Sequence, residues 1–450
     1  MNDSMNSKPP SAPAVWPELG AAPQTATVEE AEEPPSGRGL RKSARSKTSP
    51  KTSALQLDWT RPTATIQAFD PSARRKKSTQ DTGELPRKRK TRRLALVCNV
   101  KPDASSMPGP VDEYEEYDSP QTVAALAGLL GREGYVVTVL EADRSLPRKL
   151  AAGSFDMVFN IAEGKGGRCR EAHVPALCEM LGIAYTGSDP LTLAATLDKD
   201  VAKRLVCREV HTPAWLTVRK IEDLRAFDLA FPVFAKPLDE GSSKGIRDNS
   251  RCKDFAELEA LVSELLELYG RPVLVEEFIG GPEVTVGVVG NRDPEVIGMM
   301  HVVPTQGTVE DFIYSLEAKR DYENRVRYAI PPELPDATCR RIEAAALKCF
   351  QLLGCHDVAR IDFRIGPDGH PYFIEANPLP GLSPTSGDIV LTAKAMGIPW
   401  ETLIARIVRE AEFRQGVLRP TLVPKAEAKR KNHLQLAPTL PLFDAAPGQG

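Results

Sequence analysis

The 450-residue sequence predicts an α/β (α+β) protein in which a parallel-sheet domain is followed by two mixed α+β segments, with disordered tails at both ends. Three observations predict it. Between Leu94 and Thr186 short apolar strands alternate with helical patterns, an order that demands crossovers and a parallel sheet. Near the other end two period-2 stretches flank Gly366-Pro367-Asp368-Gly369, the signature of an antiparallel hairpin. Residues 1–93 and 421–450 show no sustained periodicity; the first is rich in Pro, Ser, Thr and Ala with basic clusters, and the second is basic, then Pro-rich.

Composition sets the outer bounds. With 41% hydrophobic and 26% charged residues the chain is ordinary globular protein, long enough for two or three domains. No apolar run approaches the roughly 18 residues of a membrane span, and no signal-peptide core is present, so a cytoplasmic protein is expected. The eight cysteines include no C-x-x-C pair and read as reduced, packed thiols. Residues 1–93 hold 18 of the 58 Lys and Arg but only 10 of the 61 Asp and Glu, a net of +8 against −11 for the remainder. A solvated basic linker explains such a tail more simply than nucleic-acid recognition does.

The globular part opens with the apolar strand Leu94–Val100. Ser119-Pro120 is an N-cap and first-turn pair for a helix ending at Gly134. Strand Tyr135–Leu140, a short helix over Leu146–Ala152, strand Asp156–Asn160, helix Glu171–Leu181 and strand Ile183–Thr186 complete the alternation. A helix then runs through Leu197–Lys203. Strand Phe231–Pro237 delivers Lys236 to the loop Glu240-Gly241-Ser242-Ser243-Lys244-Gly245, whose small residues let backbone N–H groups approach phosphate oxygens. Helix Asp254–Tyr269 has apolar residues at helical spacing and stops at Gly270. Strand Val273–Ile279, the strand pair Val284–Val289 and Val296–Val303, and helix Asp336–Leu353 follow. Between the last two, residues 304–330 form a polar stretch of the length typical of lids. Helices over Asp388–Met396 and Trp400–Arg414 close the globular part.

In the hairpin, alternation puts Ala359, Ile361, Phe363 and Ile365 on one face of the first strand and Arg360 and Asp362 on the other. On the return strand Tyr372, Ile374 and Ala376 share a face, leaving Glu375 and Asn377 opposite them. Three oxygen donors and a guanidinium thereby meet at one point. Such hard ligands suit Mg²⁺, which completes its shell with water and substrate phosphates. The alternative is a polar face that is merely solvated.

Together with Glu240–Gly245 and Glu276-Glu277-Phe278-Ile279-Gly280-Gly281-Pro282-Glu283, this hairpin resembles the ATP-grasp ligases, most closely the D-alanine–D-alanine ligases, over about Arg93 to Gly416. The resemblance implies an ATP-grasp fold: a basic extension at 1–93, a substrate domain at 94–192, two nucleotide-clamping domains at 193–282 and 283–420, and a tail at 421–450. It implies ATP and two Mg²⁺ ions, with Mn²⁺ as a substitute, held by Asp362, Glu375 and Asn377. Lys199, Lys236 and Lys319 would face the phosphates, together with the loop residues Glu240, Gly241 and Ser243. Glu276, Phe278 and Ile279 would meet adenine, and Glu283 the ribose. Arg360 and the Gly381 N–H would stabilise an oxyanion, Ser242 would orient the first substrate, and Ser386 would bind the second carboxylate. The implied activity joins two D-alanines through an acyl phosphate for peptidoglycan precursors, with small-molecule partners and a homodimeric state.

The chain departs from the family in three places. Asp112–Ser119 lacks the usual Gly-Gly pair, so Glu115 or Glu116 is the candidate for the substrate ammonium; either is equally read as an acid favouring a helix N-terminus. Glu163-Gly164-Lys165-Gly166-Gly167-Arg168-Cys169-Arg170-Glu171 replaces a His-Gly-x-x-Gly-Glu-Asp-Gly pattern. Arg320 stands where a Tyr is usual, with Tyr322 nearby. These leave open the same chemistry on other amino or hydroxy acids. A catalytically silent nucleotide-binding scaffold is the reading from a different class.

Overall fold

In a computed structural model the described residues are 64–66, 92–102 and 112–417. Most of the expected N-terminal extension and all of the tail at 421–450 lie outside them. One correction falls within the extension: Ala64–Ile66 is a strand (β1), and the next strand already begins at Arg92. The backbone of that short segment pairs with an apolar edge, which composition alone does not reveal.

The first sheet runs β1, β3 (Tyr135–Glu141), β2 (Arg92–Cys98), β4 (Met157–Ile161), β5 (Ala184–Tyr185), parallel throughout except for the β1 edge. Its helices are α1 (Pro120–Arg132), α2 (Leu146–Ala152) and α3 (His173–Leu181). The start of α1 is as its sequence requires: Ser119 Oγ accepts the Thr122 N–H at 3.1 Å and Pro120 occupies the first turn. The expected single helix through Leu197–Lys203 is instead two, α4 (Pro190–Leu197) and α5 (Lys199–Val206), broken at Asp198, whose carboxylate accepts the Val201 N–H at 3.0 Å.

The second sheet has the order β6 (Trp215–Val218), β9 (Val273–Glu277), β7 (Val233–Pro237), β8 (Arg251–Cys252), all antiparallel and backed by α6 (Phe255–Tyr269). Leu258, Leu261, Val262 and Leu265 of α6 enter its core, and Gly270 ends the helix in the left-handed region at φ +60°.

The third sheet contains β10 (Glu283–Gly290), β11 (Glu295–Pro304), β12 (Val326–Ala329), β13 (Asp357–Ile365) and β14 (Pro371–Asn377), in the order β12, β11, β10, β13, β14. The lid-like segment before β12 carries two short helices, α7 (Leu316–Arg320) and α8 (Tyr322–Arg325). Helix α9 (Asp336–Leu352) buries Ile342, Ala346, Cys349 and Phe350 against this sheet. Helices α10 (Asp388–Ala395) and α11 (Trp400–Arg414) return to the first sheet, where Ile404, Ile407 and Val408 share a core with Leu126 and Leu130 of α1. Beginning and end of the globular chain are thus sealed by one apolar interface.

The hairpin differs from simple alternation in one respect. Its register pairs Arg360 with Asn377 and Asp362 with Glu375, then shifts so that Phe363 faces Phe373. This bulge leaves Ile374 without a partner, so Phe373 rather than Ile374 joins Phe363, Ile361 and Ala376 in the core. Among the described residues no helix is long and apolar enough to cross a membrane, and all eight cysteines are free.

The bulge makes a test. Phe373→Ala empties a fully buried ring site and should cost about 3–5 kcal/mol in urea unfolding. Ile374→Ala, at a half-buried position, should cost markedly less, whereas unbroken alternation would reverse the order.

Candidate active site

Two adjoining cavities lie between the second and third sheets and the edge of the first. One is walled by Lys236, Glu276, Phe278, Ile279, Glu283, Lys319, Arg360, Asp362 and Glu375, with Glu240 and Ser243 of the loop. The other is walled by Glu116, Glu163, Glu171, Lys199, Gly241, Ser242, Asn377 and Gly381. Arg360, Glu375 and Glu240 belong to both. Of the residues singled out in the sequence, Glu115, Arg320, Tyr322 and Ser386 line neither.

β9 presents Glu276 beside two buried lysines. Lys236 Nζ lies 2.7 Å from one of its oxygens and Lys203 Nζ 2.7 Å from the other. Burial alone would raise the Glu276 carboxyl, but the two lysines outweigh it and hold the group below the ordinary carboxylate value. Burial lowers Lys203, while for Lys236 the opposing carboxylates prevail and raise it. Lys203 escaped the sequence reading, since a helical lysine is normally exposed. Its i, i+4 spacing from Lys199 on α5 was the one available signal.

On the third sheet, Glu283 and Arg364 are cross-strand partners and their side chains approach to 3.3 Å. Arg364 also donates to the carbonyls of Gly281 and Phe312, both at 2.9 Å, and its guanidinium lies 5.0 Å from the Phe278 ring centroid. One arginine therefore fixes the residues expected at the adenosine end. Burial raises Glu283 despite Arg364.

At the junction of the cavities Arg360 bridges three carboxylates. Its Nη2 is 2.8 Å from Asp362 and 3.5 Å from Glu375, and its Nη1 is 3.1 Å from Asp388. Thr285 donates to Asp362 Oδ1 at 2.9 Å, an oxygen that also accepts from Arg360 Nε at 3.1 Å, and Lys199 Nζ lies 3.4 Å from Glu375. Burial opposes the charge on Glu375, but Lys199, Lys236 and Arg360 bring it down to about 2. Asp362 moves the other way, raised by burial and by the neighbouring Glu375. Two carboxylates set opposite one another in the sheet, with the Asn377 amide on the same wall, suit a hard divalent cation that takes its other ligands from phosphate. Among the described residues no group of three or more His, Cys, Asp or Glu side chains gathers in metal-holding geometry.

The loop 240–245 is shaped against conformational preference: Ser242 and Ser243 have φ of +47° and +57°. The first sheet's acidic loop grips it. Glu116 accepts the Gly241 N–H at 2.6 Å, and Asp112 accepts the Gly245 N–H at 3.2 Å together with Tyr269 Oη at 2.7 Å. From the other side Ser243 Oγ donates to the Tyr314 carbonyl at 3.1 Å, tying down the segment before β12. Lys319 of that segment reaches the first cavity with its ammonium 5.1 Å from the Tyr314 ring centroid.

Glu115, Arg320, Ser386 and Tyr322 are held away from the cavities. Glu115 turns away, paired with Lys101 at 3.3 Å and with Arg320 Nε at 3.0 Å. Arg320 is accordingly neutralised at the rim instead of facing a substrate. Ser386 is exposed and donates to Ser383 at 3.0 Å. Tyr322 stacks on Tyr328 with ring centroids 6.1 Å apart, outside both cavities.

Two antiparallel sheets closing on a cleft lined by interleaved lysines, arginines and carboxylates, with a parallel-sheet domain supplying the adjoining cavity, define an enzyme of the ATP-grasp class. The family model described as D-ala D-ala ligase C-terminus matches residues 210–409. The D-alanine–D-alanine ligase of Desulforudis audaxviator is 31% identical over 308 residues, 64% of this chain and 92% of that protein. The uncharacterized protein y4sG of Sinorhizobium fredii is 31% identical over 346 residues, 72% of this chain and 99% of its own length. In fold, the Bacillus anthracis D-alanine–D-alanine ligase complexed with ATP matches with a TM-score of 0.56 at 21% identity, across 73% of this chain and 99% of that one. The chain belongs to the D-alanine–D-alanine ligase family, whose members are ATP-dependent, ADP-forming ligases that make a C–N bond.

The paired charges around Glu276 yield a stability prediction. Glu276→Gln leaves two buried ammonium groups facing each other and should cost about 3–5 kcal/mol in urea unfolding at pH 7. Because the folded value of Glu276 lies below its ordinary 4.5, its contribution is complete above that pH and is lost as pH falls through the folded value. The gap between wild type and variant should close in acid.

Proposed function

We propose that the protein joins two D-alanine molecules, with ATP converted to ADP and phosphate. The observation that carries this reading is the wall of Arg360, Glu375 and Glu240 common to both cavities. A nucleotide in one and a carboxylic acid in the other would meet there.

A carboxylate is a poor acyl donor because its leaving group would be oxide. In the proposed reaction a donor carboxylate oxygen attacks the terminal phosphorus of ATP and ADP departs. The acceptor amine then attacks the resulting acyl phosphate, and the tetrahedral oxyanion collapses with loss of phosphate and formation of the amide. Lys199, Lys236 and Lys319 neutralise the phosphate charge, with Gly241 and Ser243 of the loop alongside. Glu276, Phe278 and Ile279 receive the adenine, and Glu283 accepts the ribose hydroxyls. Arg360 and the Gly381 N–H face the oxyanion, a type of contact worth about 3 kcal/mol per donor; Ser242 orients the donor and Ser386 takes the acceptor carboxylate. Asp362, Glu375 and Asn377 would hold Mg²⁺, which supplies charge neutralisation on the terminal phosphates. The domain division at 94–192, 193–282 and 283–420, a homodimer, a cytoplasmic location and a place in peptidoglycan precursor synthesis belong to the same reading. Tyr314 and Lys319 of the lid-like segment line the first cavity, which is where a lid over a bound nucleotide belongs.

A second reading, the same chemistry on a different pair of amino or hydroxy acids, is favoured by the carboxylates that the 163–171 loop brings to the second cavity. Phosphate release from ATP, screened over D-alanine, other D- and L-amino acids and D-lactate with product mass read alongside, separates the two. D-Alanine-dependent release with the dipeptide mass is expected. Release only with another pair would reassign the substrate. Asp362→Ala and Glu375→Ala should each reduce turnover by at least a hundredfold while the circular dichroism spectrum is retained; turnover near wild type would remove the metal assignment.

A further inference from the structure

Arg364 carries a charge where an apolar side chain would be expected. On β13 it stands between Glu283 of β10 and Tyr372 of β14, and it is only 8% exposed. Burial opposes its charge, and an apolar residue of similar volume would fill the place without the desolvation penalty of an ion. What the guanidinium does there is join two segments that are separate in sequence. Nη1 donates to Glu283 Oε2 at 3.3 Å and to the Phe312 carbonyl at 2.9 Å, and Nη2 donates to the Gly281 carbonyl at 2.9 Å.

The first segment, Gly281 to Glu283, continues the chain from Phe278, whose ring centroid lies 5.0 Å from the Arg364 guanidinium and 4.6 Å from that of Arg251. The second is the lid-like segment before β12. Loops of the second sheet hold that segment from one side: Ser315 donates to Asp248 at 2.7 Å, the Leu316 N–H donates to the Ile246 carbonyl at 3.1 Å, and Arg251 donates to Asp311 at 2.6 Å. Arg364 reaches it from the third sheet. Both Arg364 and Glu283 line the first cavity, and Glu283 offers Arg364 one of its two oxygens, which leaves the other to accept from a ligand.

We infer that Arg364 is a positioning residue for the nucleoside: it sets Glu283 toward the ribose hydroxyls and, through the Phe312 carbonyl, seats the lid-like segment at the same point. The inference rests on the nucleotide half of the proposed reaction and deepens it. The donors of a guanidinium are fixed relative to one another in a plane. While Arg364 holds both acceptors, the ribose acid and the lid keep a set spacing. The ribose is thereby read in the place that the seated lid covers. Without the guanidinium the Glu283 carboxylate loses its fixed partner and the Phe312 carbonyl its anchor, so ribose recognition and lid seating fail together.

The test is calorimetric binding of ADP, 2′-deoxyADP and 3′-deoxyADP, each with Mg²⁺, to the full chain, with trypsin cleavage at Lys319, Arg320 and Arg325 reporting on the lid. Wild type should bind ADP about tenfold or more tightly than at least one deoxy form, the loss expected for a hydrogen bond to a charged group, and ADP should slow the cleavage. In Arg364→Met the ratio should fall to within twofold of unity and the protection should disappear. A role in packing alone would weaken all three nucleotides alike, so a ratio or a protection unchanged from wild type would overturn the inference. Arg364→Lys keeps a cation but has one nitrogen in place of a fork, and ADP should fail to protect it as well. If the Met variant does not fold, the Lys variant carries the test, and wild-type protection in it is the overturning result. A wild type that binds ADP without regard to the ribose hydroxyls overturns the inference and leaves ATP-dependent ligation standing; one that binds no ADP removes the nucleotide reading and the inference with it.

Discussion

The guanidinium of Arg360 is buried among Asp362, Glu375 and Asp388, and this cluster stands where the two cavities of the site meet. An isolated buried charge is prohibitive, and a lone buried pair only roughly recovers its desolvation cost. A network in which each ion has several partners is the arrangement that remains, and it demands accurate geometry. The sheet supplies it. Register sets Asp362 opposite Glu375 on one side and opposite Thr285 on the other, so the carboxylate is positioned by two backbone ladders before any side chain chooses a rotamer. The adjacent bulge returns Phe373 to the core and lets the polar and apolar faces of the hairpin both be satisfied.

From this centre the architecture reads outward as a set of tethers to loops that would not hold their shape alone. Two consecutive serines in the left-handed region each carry a conformational cost of about 1–3 kcal/mol, and the loop containing them is clasped at both ends by acids of the first domain, Glu116 at Gly241 and Asp112 at Gly245. Asp112 is in turn fixed by Tyr269 from the end of α6 and by Arg247 at 2.9 Å. The acidic loop that looked like a degraded substrate motif thus acts largely as a structural clasp between domains. Its third acid, Glu115, extends the clasp to Arg320 in the lid-like segment.

Much of this was legible in the sequence, for identifiable reasons. Strands such as Leu94–Val100 and Tyr135–Leu140 are compact apolar runs with clear boundaries, and the Pro-Asp-Gly turn announces the hairpin. The ordered spacing of Lys236, Glu276, Glu283, Arg360, Asp362 and Glu375 placed one cavity nearly complete. What was hidden depended on long-range partners. In Tyr372-Phe373-Ile374 three apolar residues stand in a row, so alternation cannot tell which is skipped at a bulge. Lys203 belongs to a charged helix and is buried only because Glu276 arrives from a strand 73 residues later. The choice between Glu115 and Glu116 turned on Arg170 and Arg320, which are distant in sequence from both and reach them only in the folded chain.

Neither sign of charge prevails on the wall that the two cavities share. The first sets Lys236, Lys319, Arg360 and Arg364 among Glu240, Glu276, Glu283, Asp362, Glu375 and Asp388, and the second sets Lys199 and Arg360 among Glu116, Glu163, Glu171 and Glu375. Burial penalises each of these charges, so a carboxylate stays ionised only where cations of the chain outweigh that penalty. Lys203 and Lys236 do so for Glu276, and Lys199, Lys236 and Arg360 for Glu375, whereas burial prevails at Glu163, Glu171 and Glu283 and pushes them toward the neutral form despite Arg170 and Arg364 nearby. One cleft thus holds two kinds of acid, and which kind each becomes is decided by the lysines that α5 and β7 bring within reach.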